Sequence, residues 1–351
     1  MSFLRIILFP FALIYGLVSR LRNLLFDLGI LPVESFELPV ISVGNLSMGG
    51  TGKTPHVEYL VRLLKETHRV AVLSRGYGRR TKGFLIAEAR HTFRDIGDEP
   101  MLYRNKFTDI IVAVDRNRRH GISQLMRLHP APDVILLDDA FQHRYVKPGL
   151  SILLTDYYNL YSKDHLIPAG RLRESRSGSK RADLIVVTKT DSSFSPILEK
   201  ELLKELNPGA EQKVCYSFIR YENPVSLTGE PHDLPDQPNG SVLMVAGIAN
   251  PYPLKTFLSS HFVECESLIY RDHHVFTSED VTEIRSTFQN IPGSNKIIIT
   301  TEKDAMRLRE KHILDLLTDL PFYYLPVRIE FHTGSQRTFH SYILNYVGKG
   351  K

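Results

Sequence analysis

Tryptophan is absent from the 351 residues, and cysteine occurs only twice, at Cys215 and Cys265. Two cysteines cannot build a disulfide framework, which excludes the small stapled secreted folds and points to a reducing compartment. Charge of one sign is scarce too. The 44 basic residues against 39 acidic leave only +5, short of the field that nucleic-acid binding uses, so no nucleic-acid partner is expected. That mild excess still suits an anionic ligand or a membrane surface. There is no internal repeat and no low-complexity tract, and no segment marks an obligate protein partner. Gly76, Gly78 and Gly83 do not have G-x-G-x-x-G spacing, which argues against a dinucleotide fold. With 42% hydrophobic and 24% charged residues, what remains is an ordinary soluble composition, long enough for two cores.

Long hydrophobic runs are also few. Ile6–Val18 (IILFPFALIYGLV) is uncharged and is followed by Arg20, Arg22 and the apolar cluster Leu24–Phe26. It is shorter than the roughly 20 residues that cross a bilayer, and Pro10 interrupts it. No small-x-small cleavage site follows, as a signal peptide requires. Residues 1–30 therefore read as a helix buried in the protein or as one lying in a membrane interface with Arg5, Arg20 and Arg22 at headgroup level.

The chain is organised around Leu38–Leu64. Val40–Val43 is a short β-branched run that predicts a buried strand. Val57, Leu60, Val61 and Leu64 recur at i, i+3, i+4 and i+7 of a helix. Between them lies Ser47-Met48-Gly49-Gly50-Thr51-Gly52-Lys53-Thr54, the strand–loop–helix setting of a phosphate-binding P-loop. There, backbone N–H groups wrap the phosphates at the helix N-terminus, Lys53 reaches the terminal phosphates, and the Thr54 hydroxyl binds Mg²⁺. Pro55 fits, because the first helical turn needs no N–H from it. Ser47 stands where the strict pattern has its first glycine, so the loop is closer to the variant G-G-x-G-K-[ST]. Met48 occupies the position where many such loops carry a signature lysine.

Downstream, Arg69–Ser74 reads as a second strand, running into the glycine-arginine loop Arg75–Arg80, whose Arg75 and Tyr77 offer donors to phosphate. Gly97-Asp98-Glu99-Pro100 opens a helix, and Ile110–Val114 is a strand. Asp133–Asp139 is a hydrophobic strand ending in two carboxylates, Asp138 and Asp139. That is a Walker B arrangement, which holds Mg²⁺ directly or through water. Gln142 and His143 follow at the same corner. Ser151–Asp156 and Asp183–Lys189 add two strands, and Arg171, Arg173 and Arg176 sit on a loop between them that can grip an anion. Thr188-Lys-Thr-Asp191 resembles the N/T-K-x-D guanine reader and supports an alternative, a P-loop GTPase of the metal-chaperone or switch type.

Strand–helix alternation of this kind predicts an α/β fold: a P-loop NTPase-like, mainly parallel sheet flanked by helices, with a second, smaller α/β domain. Prolines at 208, 224, 231, 235 and 238 place the division at 212/213, giving an N-terminal helix over 1–30, a P-loop domain over 31–212 and a smaller domain over 213–351. In the latter, Val242–Gly247, Lys296–Thr301 and Phe322–Val327 read as strands and Asp280–Phe288 as a helix. His273 and His274 beside Asp272 lack the spacing of a zinc site and suit acid–base work or phosphate contact.

GNLSMGGTGKTP, SRGYG, GDEPMLY, LLDDAFQH, LIPAGRLRE, AGIANP, RDHHVF and TTEKDAMR together resemble the tetraacyldisaccharide 4′-kinases of the lipid A pathway, in the family's order from about Leu38 to Leu308. The resemblance implies a lipid kinase at the cytoplasmic face of a bacterial inner membrane. It would move the ATP γ-phosphate to the 4′-hydroxyl of a tetraacyl disaccharide 1-phosphate, with Mg²⁺. It further implies Asp98 as acceptor of the sugar proton and His273, after Asp272, as its partner across a cleft. Thr54, Glu99, Asp138 and Asp139 match the metal side, and Arg173 and Glu174 match the PAG-x-x-R-E segment. Because Asp98 and His273 lie far apart in the chain, the second domain is expected to close over the P-loop and assemble the site.

Overall fold

The computed structural model describes residues 3–235 and 237–348. Eight strands between Val40 and Tyr221 belong to one sheet. They are β1 (Val40–Asn45), β2 (Val70–Ser74), β3 (Leu85–Ile86), β4 (Ile111–Val114), β5 (Val134–Asp138), β6 (Leu150–Asp156), β7 (Leu184–Thr188) and β8 (Lys213–Tyr221). A smaller sheet follows: β9 (Val225–Ser226), β10 (Ser241–Ala246), β11 (Glu264–Ile269), β12 (Lys296–Thr301) and β13 (Phe322–Leu325). The last strand, β14 (Val327–Phe331), returns to the first sheet.

The large sheet has the order β14-β8-β7-β6-β1-β5-β2-β4-β3. Its seven inner strands are parallel, and β14 and β3 pair antiparallel at the two edges. Every residue of β1, β2, β5 and β7 is buried, which is why these strands read as unbroken apolar runs: helices cover both faces. Strand β1 has β5 on one side and β6 on the other. The chain therefore winds one way after β1 and later the other, leaving a crevice at the carboxyl end of β1, where ligands bind in open α/β sheets.

The helices are α1 (Phe3–Asp27), α2 (Lys53–Leu64), α3 (Phe93–Ile96), α4 (Asp98–Lys106), α5 (Arg118–Met126), α6 (Pro196–Leu206), α7 (Tyr252–Ser259), α8 (Ser278–Asn290), α9 (Glu302–Leu308), α10 (Lys311–Leu314) and α11 (Thr333–Gly348). On α2 the expected stripe of Val57, Leu60, Val61 and Leu64 is fully buried against the sheet. The small sheet, β11-β10-β12-β13-β9, is parallel except for β9.

The expected division at 212/213 needs correction. β8 is hydrogen-bonded to β7, β14 pairs with β8, and α11 packs Phe339, Ile343 and Val347 into the core of the large sheet. The smaller unit is thus an excursion between β8 and β14, and α11 packs back on the first unit. The run Phe322–Val327 is likewise two strands in different sheets, broken at Pro326, which has no N–H for a ladder.

His56 ties α2 to this architecture. It is buried, its Nδ1–H donates to the Gly52 carbonyl at 2.7 Å, and its Nε2 accepts from Ser217 Oγ at 3.0 Å. Burial holds its pKa down at about 4. In the unfolded chain the ring takes up a proton near 6.5, so acid favours unfolding. Stability from this group is complete above pH 6.5 and falls by about 3 kcal/mol as pH drops to about 4. Urea midpoints at pH 7 and pH 5 should separate more for the native chain than for His56→Gln; equal separations would remove His56 as the cause.

Candidate active site

Beyond β1 the backbone turns through Gly52, whose φ of 86° is open to glycine at no steric cost, directly into α2 at Lys53. A Cβ added at Gly49 or Gly50 would meet nothing within 4 Å, so no described residue crowds the loop at these two positions. Asn45 Nδ2 donates to Thr51 Oγ1 at 2.8 Å. Residues 46–48 are stitched to the 171–173 segment by Met48 N to Arg171 O (2.7 Å) and Arg173 N to Leu46 O (2.8 Å). The Thr188 hydroxyl donates to Thr51 O at 3.0 Å, and Lys189 Nζ to Gly50 O at 2.5 Å and to Asp156 at 2.7 Å. The segment that resembles a guanine reader thus braces the loop from behind.

The acids meet this loop because β5 lies beside β1, with Asp138 in register with Val43. Asp138 is buried and accepts from the Tyr103 hydroxyl at 3.2 Å. Burial, reinforced by the charges of Glu99 and Asp139, lifts its pKa to about 6. Asp139 has a left-handed φ of 47°, and its carboxylate lies 3.7 Å from Lys53 Nζ and 3.2 Å from Arg173 Nη1. Burial pushes that carboxyl up, but Lys53 and Arg173 outweigh it and hold it below the usual range. Tyr103 also lies beside Thr54, so Thr54, Asp138 and Glu99 gather around one phenol. Among the described residues no three His, Cys, Asp or Glu side chains make a protein-only metal cage. The donors present are nonetheless all hard oxygens, and Mg²⁺ completes such sets with phosphate and water. A carboxyl pushed to about 6 by burial and by the neighbouring negative charges of Glu99 and Asp139 is one that a divalent cation would relieve. The residues fit Mg²⁺.

Asp98 opens α4 from the far side of this cluster. Gly97, with φ 94°, precedes it, and a Cβ there would come within 2.9 Å of Tyr77 O; the Ser74–Gly78 and Gly97–Pro100 turns pack back to back. His273 Nδ1 donates to Asp98 Oδ2 at 2.8 Å. Arg307 grips the same carboxylate through Nη2 on Oδ2 and through Nε on Oδ1 at 3.3 Å. Burial raises the Asp98 pKa, but the bonds from His273 and Arg307 prevail and bring it to about 2. The bond to Asp98 raises His273 against its burial. Tyr77 lies against the imidazole, ring centroids 5.4 Å apart.

Arg307 and Lys303 were not among the residues expected from the sequence to build the site. Both lie on α9, whose face packs on α4. Lys303 Nζ is 2.6 Å from Glu99 Oε1. Arg307 also bonds Asp304 at 3.0 Å, and Asp304 in turn accepts from Gly247 N at 2.9 Å. Lys106, at the end of α4, bridges Glu58 of α2 (2.8 Å) and Glu302 of α9 (2.7 Å). Arg94 pairs with Glu310 at 2.6 Å. The pairs of Asp98 with His273 and Arg307, Glu99 with Lys303, Lys106 with Glu302 and Arg94 with Glu310 thus hold the second unit against the P-loop unit.

Residues 4–347 match the model of the family described as tetraacyldisaccharide-1-P 4′-kinase. The chain belongs to the tetraacyldisaccharide-1-P 4′-kinase family. The tetraacyldisaccharide 4′-kinase of Parabacteroides distasonis is 46% identical, covering 97% of this chain and 94% of its own. That of Flavobacterium johnsoniae is 45% identical over 99% and 98%. A crystal structure of the Aquifex aeolicus member, LpxK, in complex with ATP superposes with a TM-score of 0.75 at 28% identity, over 98% of this chain and 99% of that one. The family and the α/β P-loop fold expected from the motifs are both borne out.

Set against this kinase frame, the remaining expected residues divide. Lys53, Thr54, Glu99, Asp138, Asp139 and Arg173 converge, and Asp98 meets His273. Ser47 is buried and Met48 exposed at the loop's outer edge. Asp272 lies 3.9 Å from His273 Nε2 on the solvent side, where its charge helps raise the imidazole pKa. Arg171 is occupied by Asp164 and Asn159. Glu174 is buried, holding Arg181 (2.8 Å) and Asn23 of α1 (3.1 Å), so it supports the wall rather than facing a ligand. Gln142 Nε2 is spent on Asn45 O at 2.5 Å. His143 has a buried Nε2 with no hydrogen-bond partner among the described residues. Burial and the charges of Arg118, Arg22, Arg119 and Arg75 hold His143 down at about 4, and Arg75 itself is exposed.

Proposed function

We propose that this kinase transfers the γ-phosphate of ATP to the 4′-hydroxyl of a tetraacyl glucosamine disaccharide 1-phosphate presented at the cytoplasmic face of a bacterial inner membrane. The observation that carries the reading is the meeting of Asp98 and His273, from two units of the chain, beside the P-loop. Lys53 and the loop amides bind the phosphates, and Arg173 fixes Asp139 beside Lys53. Thr54 and Asp138, with Asp139 and Glu99 alongside, would hold Mg²⁺, which would supply neutralisation of phosphate charge. Asp98 accepts the proton of the attacking hydroxyl, with His273 setting its position and basicity. Labelled phosphate should pass from ATP to the detergent-dispersed disaccharide 1-phosphate and fail to do so with Lys53→Ala. Purified protein that never consumes ATP in that mixture would end this reading, and use of GTP alone would favour the GTPase.

The acceptor is a lipid, and α1 supports delivery from a membrane surface. Its segment Ile7–Asp27 is 21 residues long with mean hydropathy 1.3 and little of it buried. Phe11, Leu13, Ile14, Leu17, Val18 and Leu21 are exposed, Leu17 by 69%, so the helix is not the buried core element that was one of its two readings. It is tethered by Tyr15 OH to Arg173 O (2.5 Å), by Asn23 to Glu174 and by Arg144 to Asp27 (2.6 Å). An apolar helix thus rests on the segment that flanks the P-loop, an arrangement suited to lying in the interface. Replacing Leu17 and Leu21 by Glu removes two lipid contacts of about 1.5–3 kcal/mol each. Partitioning onto anionic liposomes in a flotation assay should fall by roughly 10²-fold or more; undiminished flotation would refute the interfacial role.

A further inference from the structure

The cations of the site are unequally committed. Arg307 is buried between Asp98 and Asp304, each of which it bonds. Arg118 donates Nη1 to the Asp115 carbonyl (2.7 Å) and Nη2 to the Asp138 carbonyl (3.2 Å), with its Nε buried and without a partner among the described residues. Lys303 has one protein partner among the described residues, Glu99, although an ammonium carries three donors. Its charge is also felt at Asp98 and Asp138. It thus lies beside Glu99, within electrostatic reach of both the proton acceptor Asp98 and the metal-side Asp138, and it is brought there by the second unit.

We propose that Lys303 is a further catalytic residue, a cation delivered from the second unit that leaves Glu99 to bond the γ-phosphoryl oxygens of bound ATP. The inference rests on the reading of this loop as an ATP site. In phosphoryl transfer the bond from phosphorus to the oxygen bridging to ADP breaks as a bond to the acceptor oxygen forms. The acceptor's proton goes to Asp98, and Lys303 neither gains nor loses one. It donates hydrogen bonds to charge spread over the transferring group, the part that an arginine supplied in trans takes in other phosphoryl-transfer enzymes. The pairing with Glu99 keeps the ammonium at hand while no γ-phosphate is present, and it adds a cation to the Glu99 side of an acid cluster whose Asp139 side is met by Lys53 and Arg173.

The test separates contact with the γ-phosphate from mere support of the interface. Equilibrium binding of ATP and of ADP, without acceptor, is measured for the full chain and for Lys303→Met. A lost charge-assisted bond should cut the preference for ATP over ADP by about tenfold or more, with ADP affinity unchanged, and kcat should fall by about 10²–10³-fold. Lys303→Gln, which still donates to Glu99, preserves the interface and should lose the same preference. An ATP-to-ADP ratio unchanged in either variant overturns the proposal whatever happens to kcat. If the native chain itself binds neither nucleotide, the ATP reading fails and this inference falls with it, a different result from a native chain that discriminates and variants that do so equally.

Discussion

Asp98→Asn should slow phosphate transfer by about 10²–10⁴-fold, the range that a positioned proton acceptor contributes, while leaving ATP affinity within a few-fold. Asparagine keeps the shape of the side chain and removes its capacity to take a proton. The nucleotide contacts lie on the opposite side of the cluster, at Lys53 and the glycine loop, so binding has no reason to follow. As the site stands, His273 and Arg307 hold the Asp98 carboxyl at about 2, which makes it a reluctant base. Basicity must rise as the hydroxyl arrives, and the bonds to His273 and Arg307 are the parts that can loosen to allow it. His273→Gln should accordingly reduce kcat less than Asp98→Asn does, because glutamine retains a donor. Single-turnover transfer of labelled phosphate, with ATP affinity measured separately, reads both effects. Unchanged turnover in Asp98→Asn would take the proton-accepting role from this residue.

The half of the site built by local sequence was legible beforehand. A β-branched run, three glycines, Lys-Thr and an i, i+3, i+4, i+7 stripe define a P-loop because all their contacts are made within one strand–loop–helix. Asp138 and Asp139 were legible for the same reason, as the end of an apolar strand. What could not be read were contacts between helices that only the packing of two sheets brings together. Lys303 and Arg307 are four residues apart on a short helix, a spacing that, in isolation, describes a solvated face. They become a site only because α4 lies opposite with Asp98 and Glu99. The course of the chain failed for a related reason. Nothing in the composition of β8 distinguishes a strand of the first sheet from one of the second, and the proline cluster drew the boundary ahead of it. Strand β11, with alternating exposure as an edge strand, lacks the apolar continuity that revealed its buried neighbours. Thr188–Asp191 shows the opposite error, a motif correct in position whose Thr188 and Lys189 spend their bonds on the phosphate loop's own carbonyls.

Lys53→Ala is expected to have the larger consequence of any single change, because Lys53 serves two charges at once. Its ammonium faces the loop where the terminal phosphates sit and lies 3.7 Å from Asp139. Without it Asp139 keeps Arg173 and the weaker influence of Arg118, beside Asp138, whose pKa burial and acidic neighbours already raise to about 6. The pocket would then present uncompensated negative charge to an anionic nucleotide, so affinity and transfer should fail together, with kcat/KM reduced by about 10³-fold or more. This joint failure distinguishes Lys53 from Asp98, where only turnover falls. Lys53→Arg should not restore activity: the planar guanidinium is wider than the ammonium and cannot enter the turn in the same geometry, though the charge is kept. ATP titration and labelled-phosphate transfer measured on both variants give the answer. Near-normal ATP affinity in Lys53→Ala would mean that the backbone amides of the loop carry phosphate binding unaided and that the lysine acts only on the transition state.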